Sequence, residues 1–213
     1  MNRLLIYTFI ICILLSALFC SMPLSGNGGS SETVNAKVTI KDTTVSVIVE
    51  KDSVQSLTAH LFSPLYKPFE QTGYADSFFC TGQKITISTP QSGSYNLLLT
   101  LNRSEMICFL QGLVLGDAAD TTVECKLSAP HQVTGRIQPE DHTPSGEQYV
   151  LSIFGSPFFA VSDSVSRFSF SGLPQSDLLI TATPMAARLF IPKFEYYLAA
   201  EQVGMSKLKL LLP

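Results

Sequence analysis

The histidines of this chain are the first place to look for a metal site, and their spacing does not support one. They are His60, His131 and His142. None has a second histidine or a carboxylate at a spacing typical of zinc ligands, and the chain contains no Cys-x-x-Cys pair. His60 lies between Ala59 and Leu61 in a strand-like segment, where we expect a structural histidine. The sequence therefore predicts no metal and no cofactor.

Serine and acidic residues are the remaining groups that could perform catalysis. No serine lies in a Gly-x-Ser-x-Gly elbow, and Pro157 follows Ser156 where a catalytic turn would need conformational freedom. The acidic residues at 117–120 and 140–141 lack the alternating oxygen ligands of a calcium loop, so we expect solvated turns. The sequence predicts no catalytic residues and a protein that is not an enzyme.

The cysteines outside the N-terminal segment are odd in number, so at most one disulfide can form among them. They are Cys80, Cys108 and Cys125. Cys125 alternates with apolar neighbours, which predicts a side chain that faces the core as a buried reduced thiol. Cys80 is expected in a polar turn before the strand at Ile85, where it is the most accessible cysteine for pairing or oxidation.

The N-terminus has the layout of an export signal. Arg3 precedes an uncharged apolar run at residues 4–19, and Cys20 closes it. A cysteine at this position resembles the cleavage and acylation site of bacterial lipoproteins, so Cys20 is the expected lipid attachment site and the membrane an expected partner. Because Phe19 replaces the usual small residue, cleavage by the general signal peptidase and retention as an anchor stay open. Ser21 follows the cysteine directly, and its resemblance to lipoproteins that reach the outer membrane favours that membrane.

Composition limits the possible partners of the mature chain. Residues 21–32 are rich in Ser and Gly and are expected to form a flexible tether between the signal segment, residues 1–20, and a folded body. The formal net charge is −3, so we expect no basic surface and no binding to nucleic acid. The sequence places the protein in the bacterial cell envelope, with a glycan or an envelope protein as its candidate partner.

Apolar and polar residues alternate with a period of two in many short segments, which is typical of half-buried strands. The clearest are residues 84–88 and 167–171. Others are expected at 36–40, 45–49, 57–62, 95–101, 106–110, 122–127, 133–137, 149–154, 178–183 and 207–212. Helix propensity favours a helix at 194–203, but the repeat described next favours a strand at 196–203. The sequence predicts an all-β protein of antiparallel sandwiches.

An internal repeat divides the folded body into two tandem domains. Pro-Gln-Ser occurs at 90–92 and again at 174–176, and an apolar strand follows each copy, at 97–100 and at 178–181. Each copy then leads to a closing strand. The predicted domains are residues 33–128 and residues 129–213.

The second half carries a family resemblance. The run VSDSVSRFSFSGLP at 161–174, followed by the apolar segment 178–180, resembles the signature of carboxypeptidase-regulatory-like (transthyretin-like) β-sandwich domains. Ser166 stands where that family usually has a turn glycine, and the first half keeps the second turn as SGSY at 92–95. The resemblance implies two tandem transthyretin-like sandwiches in a bacterial surface lipoprotein, a fold that hosts unrelated functions.

Aromatic residues in loops are the best candidates for ligand contact, because flat rings stack on sugars or anchor a protein partner. The candidates are Tyr66 and Phe69, the pair Phe158 and Phe159, and the pair Tyr196 and Tyr197, of which Tyr66, Phe69 and Phe158 are the predicted ligand contacts. At least one of Phe158 and Phe159 is expected to point into the core. The sequence predicts a membrane-tethered, non-catalytic protein that binds or scaffolds in the cell envelope. The alternatives are a carbohydrate-binding surface module and, third, an unrecognised hydrolase.

Overall fold

The computed structural model describes residues 32–89, 91–103, 105–116, 119–139, 148–185, 194–204 and 206–212. In these ranges the chain forms fifteen strands and a 3-10 helix at Ala200–Gln202. No helix in the described residues is long and apolar enough to cross a membrane.

The first sandwich consists of two four-stranded antiparallel sheets. Its strands are β1 (Val34–Lys41), β2 (Thr44–Val49), β3 (Leu57–Phe62), β4 (Ala75–Cys80), β5 (Lys84–Ser88), β6 (Gly93–Leu101), β7 (Met106–Leu115) and β8 (Thr121–Leu127). One sheet has the order β5-β2-β1-β8 and the other has the order β4-β3-β6-β7. Because successive side chains point to opposite faces, alternation buries one face of each strand between the sheets, as in Val38 of β1 opposite Val47 of β2.

The second sandwich is smaller and contains one parallel pair. Its strands are β9 (His131–Pro139), β10 (Tyr149–Ile153), β11 (Phe159–Val161), β12 (Arg167–Leu173), β13 (Leu178–Pro184), β14 (Phe194–Leu198) and β15 (Ser206–Leu212). The sheets have the orders β12-β9-β15 and β11-β10-β13-β14. Strand β15 runs parallel to β9, and every other pair is antiparallel. The protein is therefore all-β, with two tandem sandwiches, as the sequence predicted.

Most predicted strands are confirmed, and the exceptions lie where alternation is weak. β4 was not predicted, because its Phe78 and Phe79 are adjacent and the strand lies exposed at a sheet edge. β11 is only three residues long. The strand expected at 196–203 ends at Leu198, because a 3-10 turn follows in which the Asp177 carboxylate accepts the Ala200 N–H at 2.9 Å.

The repeat corresponds to equivalent strands in the two halves. Residues 97–100 lie in β6, which pairs with β3 and β7, and residues 178–181 lie in β13, which pairs with β10 and β14. The closing strands β8 and β15 both pair with the first strand of their half. Ser166 has φ of 62°, the left-handed backbone conformation that favours glycine.

The two sandwiches share an apolar interface. Phe62, Leu98, Ile107 and Phe109 point away from the first core and belong to the same buried cluster as the core of the second sandwich. The buried Asn96 of β6 also crosses the interface, because its Nδ2 donates to the Gly155 carbonyl at 3.0 Å. Removing these large side chains from water fixes the two halves to one another.

A disulfide joins Cys108 of β7 to Cys125 of β8 and so connects the two sheets of the first sandwich. The prediction that Cys125 faces the core is confirmed, but the prediction that it is a reduced thiol is wrong. Cys80 is the free cysteine of the described residues, and it lies at the end of β4 rather than in a polar turn. Burial raises the pKa of the Cys80 thiol, and its Sγ donates to the Lys84 carbonyl at 3.3 Å.

Candidate functional site

A groove of about 610 Å³ lies between a loop of the first sandwich and a sheet of the second. The loop, residues 63–74, connects β3 to β4, and the opposite wall is formed by β10 and β13. The lining residues are Leu65, Tyr66, Lys67, Phe69, Glu70, Val150, Ser152, Ile153, Phe154, Thr181, Thr183, Pro184 and Met185. The groove exists because the sandwiches are packed together, since neither half supplies both walls.

The loop is held in a fixed shape by its own backbone. The Ser63 N–H donates to the Tyr74 carbonyl and the Lys67 N–H to the Thr72 carbonyl, both at 2.9 Å. Gly73 has φ of 93°, and a Cβ there would lie 2.9 Å from the Cα of Tyr66, so this turn requires glycine. An ion pair between Lys67 and Glu70, at 3.1 Å, places one charge of each sign at the rim.

Two of the three predicted ligand-contact aromatics lie on this groove. Tyr66 is half-buried, and its ring lies 5.1 Å from that of Phe62 at the sandwich interface. Phe69 meets Phe159 of β11 edge to face, with ring centroids 5.8 Å apart. Phe158 does not line the groove, because it packs against the second core. The sequence indicated the loop rings, and of the adjacent pair Phe158 and Phe159 it is Phe159 that is exposed and contacts a groove ring.

The groove has apolar surface with few polar groups, which is the usual composition of a binding site. Leu65 is 73 % exposed at its rim. Thr181 already donates its hydroxyl to the Ser152 carbonyl at 3.3 Å, so the wall is internally hydrogen-bonded. Aromatic rings beside hydroxyl groups can bind an apolar peptide segment or the face of a sugar.

A serine and a histidine form the arrangement closest to catalytic chemistry in the described residues. His60 Nδ1 and Ser77 Oγ lie 2.6 Å apart on neighbouring strands β3 and β4, and burial lowers the pKa of His60, which favours the neutral base. The adjacent Asp76 does not complete a triad, because its carboxylate accepts the Ser77 N–H and the Tyr74 hydroxyl instead of orienting the imidazole. Sequence reasoning missed this pair because β4 was not predicted.

The other residues considered from the sequence contribute no site in the described residues. Ser156 is fully buried and stabilises a turn, since its Oγ donates to the Ile153 carbonyl and accepts the Phe158 N–H. His131 lies beside Gly204. In the described part of the chain, no three His, Cys, Asp or Glu residues lie together as a metal site would need. Cys20, His142, Asp117 and residues 140–141 lie outside the described residues.

Comparisons with known proteins identify no family for this chain. No protein-family model matches it, and no curated protein matches it at a significant level. Among solved structures it is similar to the Bacillus anthracis TIE protein, with 11 % identity and a TM-score of 0.27 over 88 % of this chain and 41 % of that one. It is also similar to BcpA, the major pilin subunit of Bacillus cereus, with 11 % identity and a TM-score of 0.26 over 85 % of this chain and 69 % of that one. A third similarity is to the Corynebacterium diphtheriae major pilin SpaA, with 11 % identity and a TM-score of 0.24 over 85 % of this chain and 68 % of that one. The chain thus spans about two fifths of the TIE protein, and these scores identify no shared function.

Proposed function

We propose that this chain is an exported, membrane-tethered and non-catalytic protein of the bacterial cell envelope that binds or scaffolds a partner. Two transthyretin-like sandwich modules, residues 33–128 and 129–213, present the groove at the end of a Ser/Gly-rich tether. The observation that carries the proposal is the groove itself, since it places Tyr66 and Phe69 on a wall that the second sandwich completes.

Two features support export. The first is the order of Arg3, an apolar run and Cys20 at the N-terminus. The second is the Cys108–Cys125 disulfide, because structural disulfides form and persist in oxidising compartments and are rare in the bacterial cytosol. Acylation of Cys20 then anchors the tether, residues 21–32, in the membrane, and Ser21 favours the outer membrane.

Intact mass spectrometry of the membrane fraction tests the anchor. We expect a chain that begins at Cys20 and carries added acyl mass. A membrane-associated chain that begins at Met1, or a soluble chain that begins after Ser21, would overturn lipid attachment.

Two kinds of partner fit the groove. A protein partner is favoured by the apolar walls and by the exposed Leu65 at the rim, which an interface would remove from water, and by Tyr66, since aromatic side chains contribute much of the energy of protein interfaces. Carbohydrate recognition is the second candidate. It is favoured by the Tyr66 and Phe69 rings near the hydroxyls of Ser152 and Thr183.

A pair of ring variants separates the two candidates. In a glycan array, ring-dependent binding that Tyr66→Ala and Phe69→Ala each abolish supports carbohydrate recognition. If no glycan on the array is bound and a defined envelope protein is crosslinked through a photoreactive residue at position 65, the result supports scaffolding. Phe79→Ala is the matched control, because Phe79 is 66 % exposed in the first sandwich but lies outside the groove. Turnover of an ester, peptide or glycoside that His60→Gln abolishes would overturn the non-catalytic assignment.

A further inference from the structure

Three cationic side chains form a row on the outer face of the sheet β12-β9-β15. Arg167 of β12 is the direct partner of Arg136 of β9, and Arg136 is the direct partner of Lys209 of β15. Directly opposed residues point to the same face of a sheet. All three are exposed, while their sequence neighbours Phe168, Ile137 and Leu208 are buried beneath them. With neighbouring strands about 4.8 Å apart, the row extends over about 10 Å.

The row is not neutralised by the rest of the described chain. None of the three cations forms an ion pair with a carboxylate in the described residues. Asp163 lies beside them, but its Oδ1 accepts the backbone N–H groups of Arg167 at 2.7 Å and Val165 at 3.0 Å and so holds the turn before β12. Like charges placed directly opposite one another destabilise a sheet. An anion seated over the row would relieve that repulsion.

The surroundings of the row resemble a polar binding surface. An open groove of about 680 Å³ runs over it and is also lined by Thr134 and Ser169. These two residues are direct partners in the register, and Gln132 Nε2 donates to Ser169 Oγ at 3.1 Å. Hydroxyl groups thus flank the guanidinium groups, which bind carboxylates and sulfates through paired hydrogen bonds.

We propose that this face, the cationic row, binds an acidic polysaccharide through its carboxylate or sulfate groups. Charge complementarity supplies the attraction, since the described residues that line the groove include three cations and one carboxylate, that of Asp163, which already accepts backbone hydrogen bonds. The flanking hydroxyls match the hydroxyl groups of sugar rings, and the broad shallow face accommodates an extended chain. The overall composition does not reveal this row, because strand register brings together charges that are distant in sequence.

The test measures binding of the full-length protein to polygalacturonate, dextran sulfate and neutral dextran at low salt. We expect binding to one or both acidic polymers, none to neutral dextran, and weakening as salt rises. Arg136→Gln should weaken binding about tenfold or more, because a hydrogen bond between charged groups contributes enough for that factor. Lys209→Gln should weaken binding severalfold. Lys84→Gln is its matched control, because Lys84 is an exposed lysine on β5 of the first sandwich, and it should change binding less than about twofold.

A thermal melt keeps the test independent of misfolding. Without polymer, Arg136→Gln should melt at or above the wild-type temperature, because two like-charge pairs, with Arg167 and with Lys209, are removed. With polymer, only proteins that retain the row should melt at a higher temperature. The proposal is overturned if neither acidic polymer binds, if Lys84→Gln weakens binding as much as Lys209→Gln, or if polyglutamate or duplex DNA binds as tightly as the acidic polysaccharide.

Discussion

The Cys108–Cys125 bridge offers the most direct quantitative test of the fold. It connects β7 and β8, which lie in different sheets of the first sandwich, and both sulfurs are buried in its core. The perturbation is the double variant Cys108→Ala with Cys125→Ala. It removes the covalent connection between the sheets while keeping small apolar side chains at both positions.

The expected loss follows from the length of the closed loop. The two cysteines are 17 residues apart, and closing a loop of that length in the unfolded chain is worth about 3 kcal/mol at 25 °C in the chain-entropy treatment. Such a loss is a large fraction of the 5–15 kcal/mol that typically separates folded from unfolded domains. For a unit of the size of Ser31–Pro213, it corresponds to a decrease in melting temperature of roughly 6–12 °C.

Urea unfolding of the Ser31–Pro213 unit, with and without reductant, measures this loss. Reduced wild type should unfold at nearly the same urea concentration as the double variant. Cys80→Ala is the control and should respond to reductant as wild type does, because Cys80 takes no part in the bridge. Titration of the unfolded, non-reduced unit should find a single free thiol. Three free thiols would show that the bridge is absent, and a double variant within about 0.5 kcal/mol of oxidised wild type would show that the bridge does not stabilise the fold.

Three further predictions follow from single residues. Ser166→Gly should raise the free energy of unfolding by about 0.5–1 kcal/mol, because position 166 has a left-handed backbone that favours glycine. Ser164→Gly is the control and should lower the free energy of unfolding, because position 164 does not have that backbone. Urea unfolding of both variants checks the sign. Asn96→Ala should cost about 2–4 kcal/mol, measured by the same method, because the Gly155 carbonyl, which is buried, and the part-buried Gly112 N–H both lose their side-chain partner. A loss below about 1 kcal/mol would contradict the buried contact. Burial lowers the pKa of His60, so the unfolded chain takes up a proton more readily than the folded chain, and stability should fall as pH drops below about 6.5. The difference between the melting temperatures at pH 7.5 and pH 5 should be smaller in His60→Gln than in wild type. An equal difference in the two proteins would contradict the pKa shift.

Local alternation was enough to predict the strands whose two faces differ in burial. The strand at Leu57–Phe62 was predicted to the residue, because its core-facing positions Leu57, Ala59 and Leu61 are all apolar. β4 was not predicted, because this exposed edge strand lacks the alternation of apolar and polar residues. The disulfide could not be predicted either, since three cysteines allow three pairings and only the packing of β7 on β8 selects one.

The candidate surfaces depend on contacts between residues that are distant in sequence. Tyr66 and Phe69 were identified as loop aromatics, but the wall they face comes from β10 and β13 in the other half of the chain. The cationic row depends on the parallel register of β15 against β9, which no local pattern specifies. The sequence alone therefore indicates two residues of the groove, but neither the groove nor the cationic row can be predicted from it.

The parallel pairing of β9 with β15 also affects the order in which the second sandwich can be completed. A chain synthesised from its N-terminus contains β9 before β15, and β15 follows every other described strand. Until then, one edge of β9 presents unpaired N–H and C=O groups, and such an edge is a template for pairing with another molecule. Deleting residues 206–212 would therefore leave that edge open and promote self-association of otherwise folded molecules, so β15 protects the completed protein from aggregation.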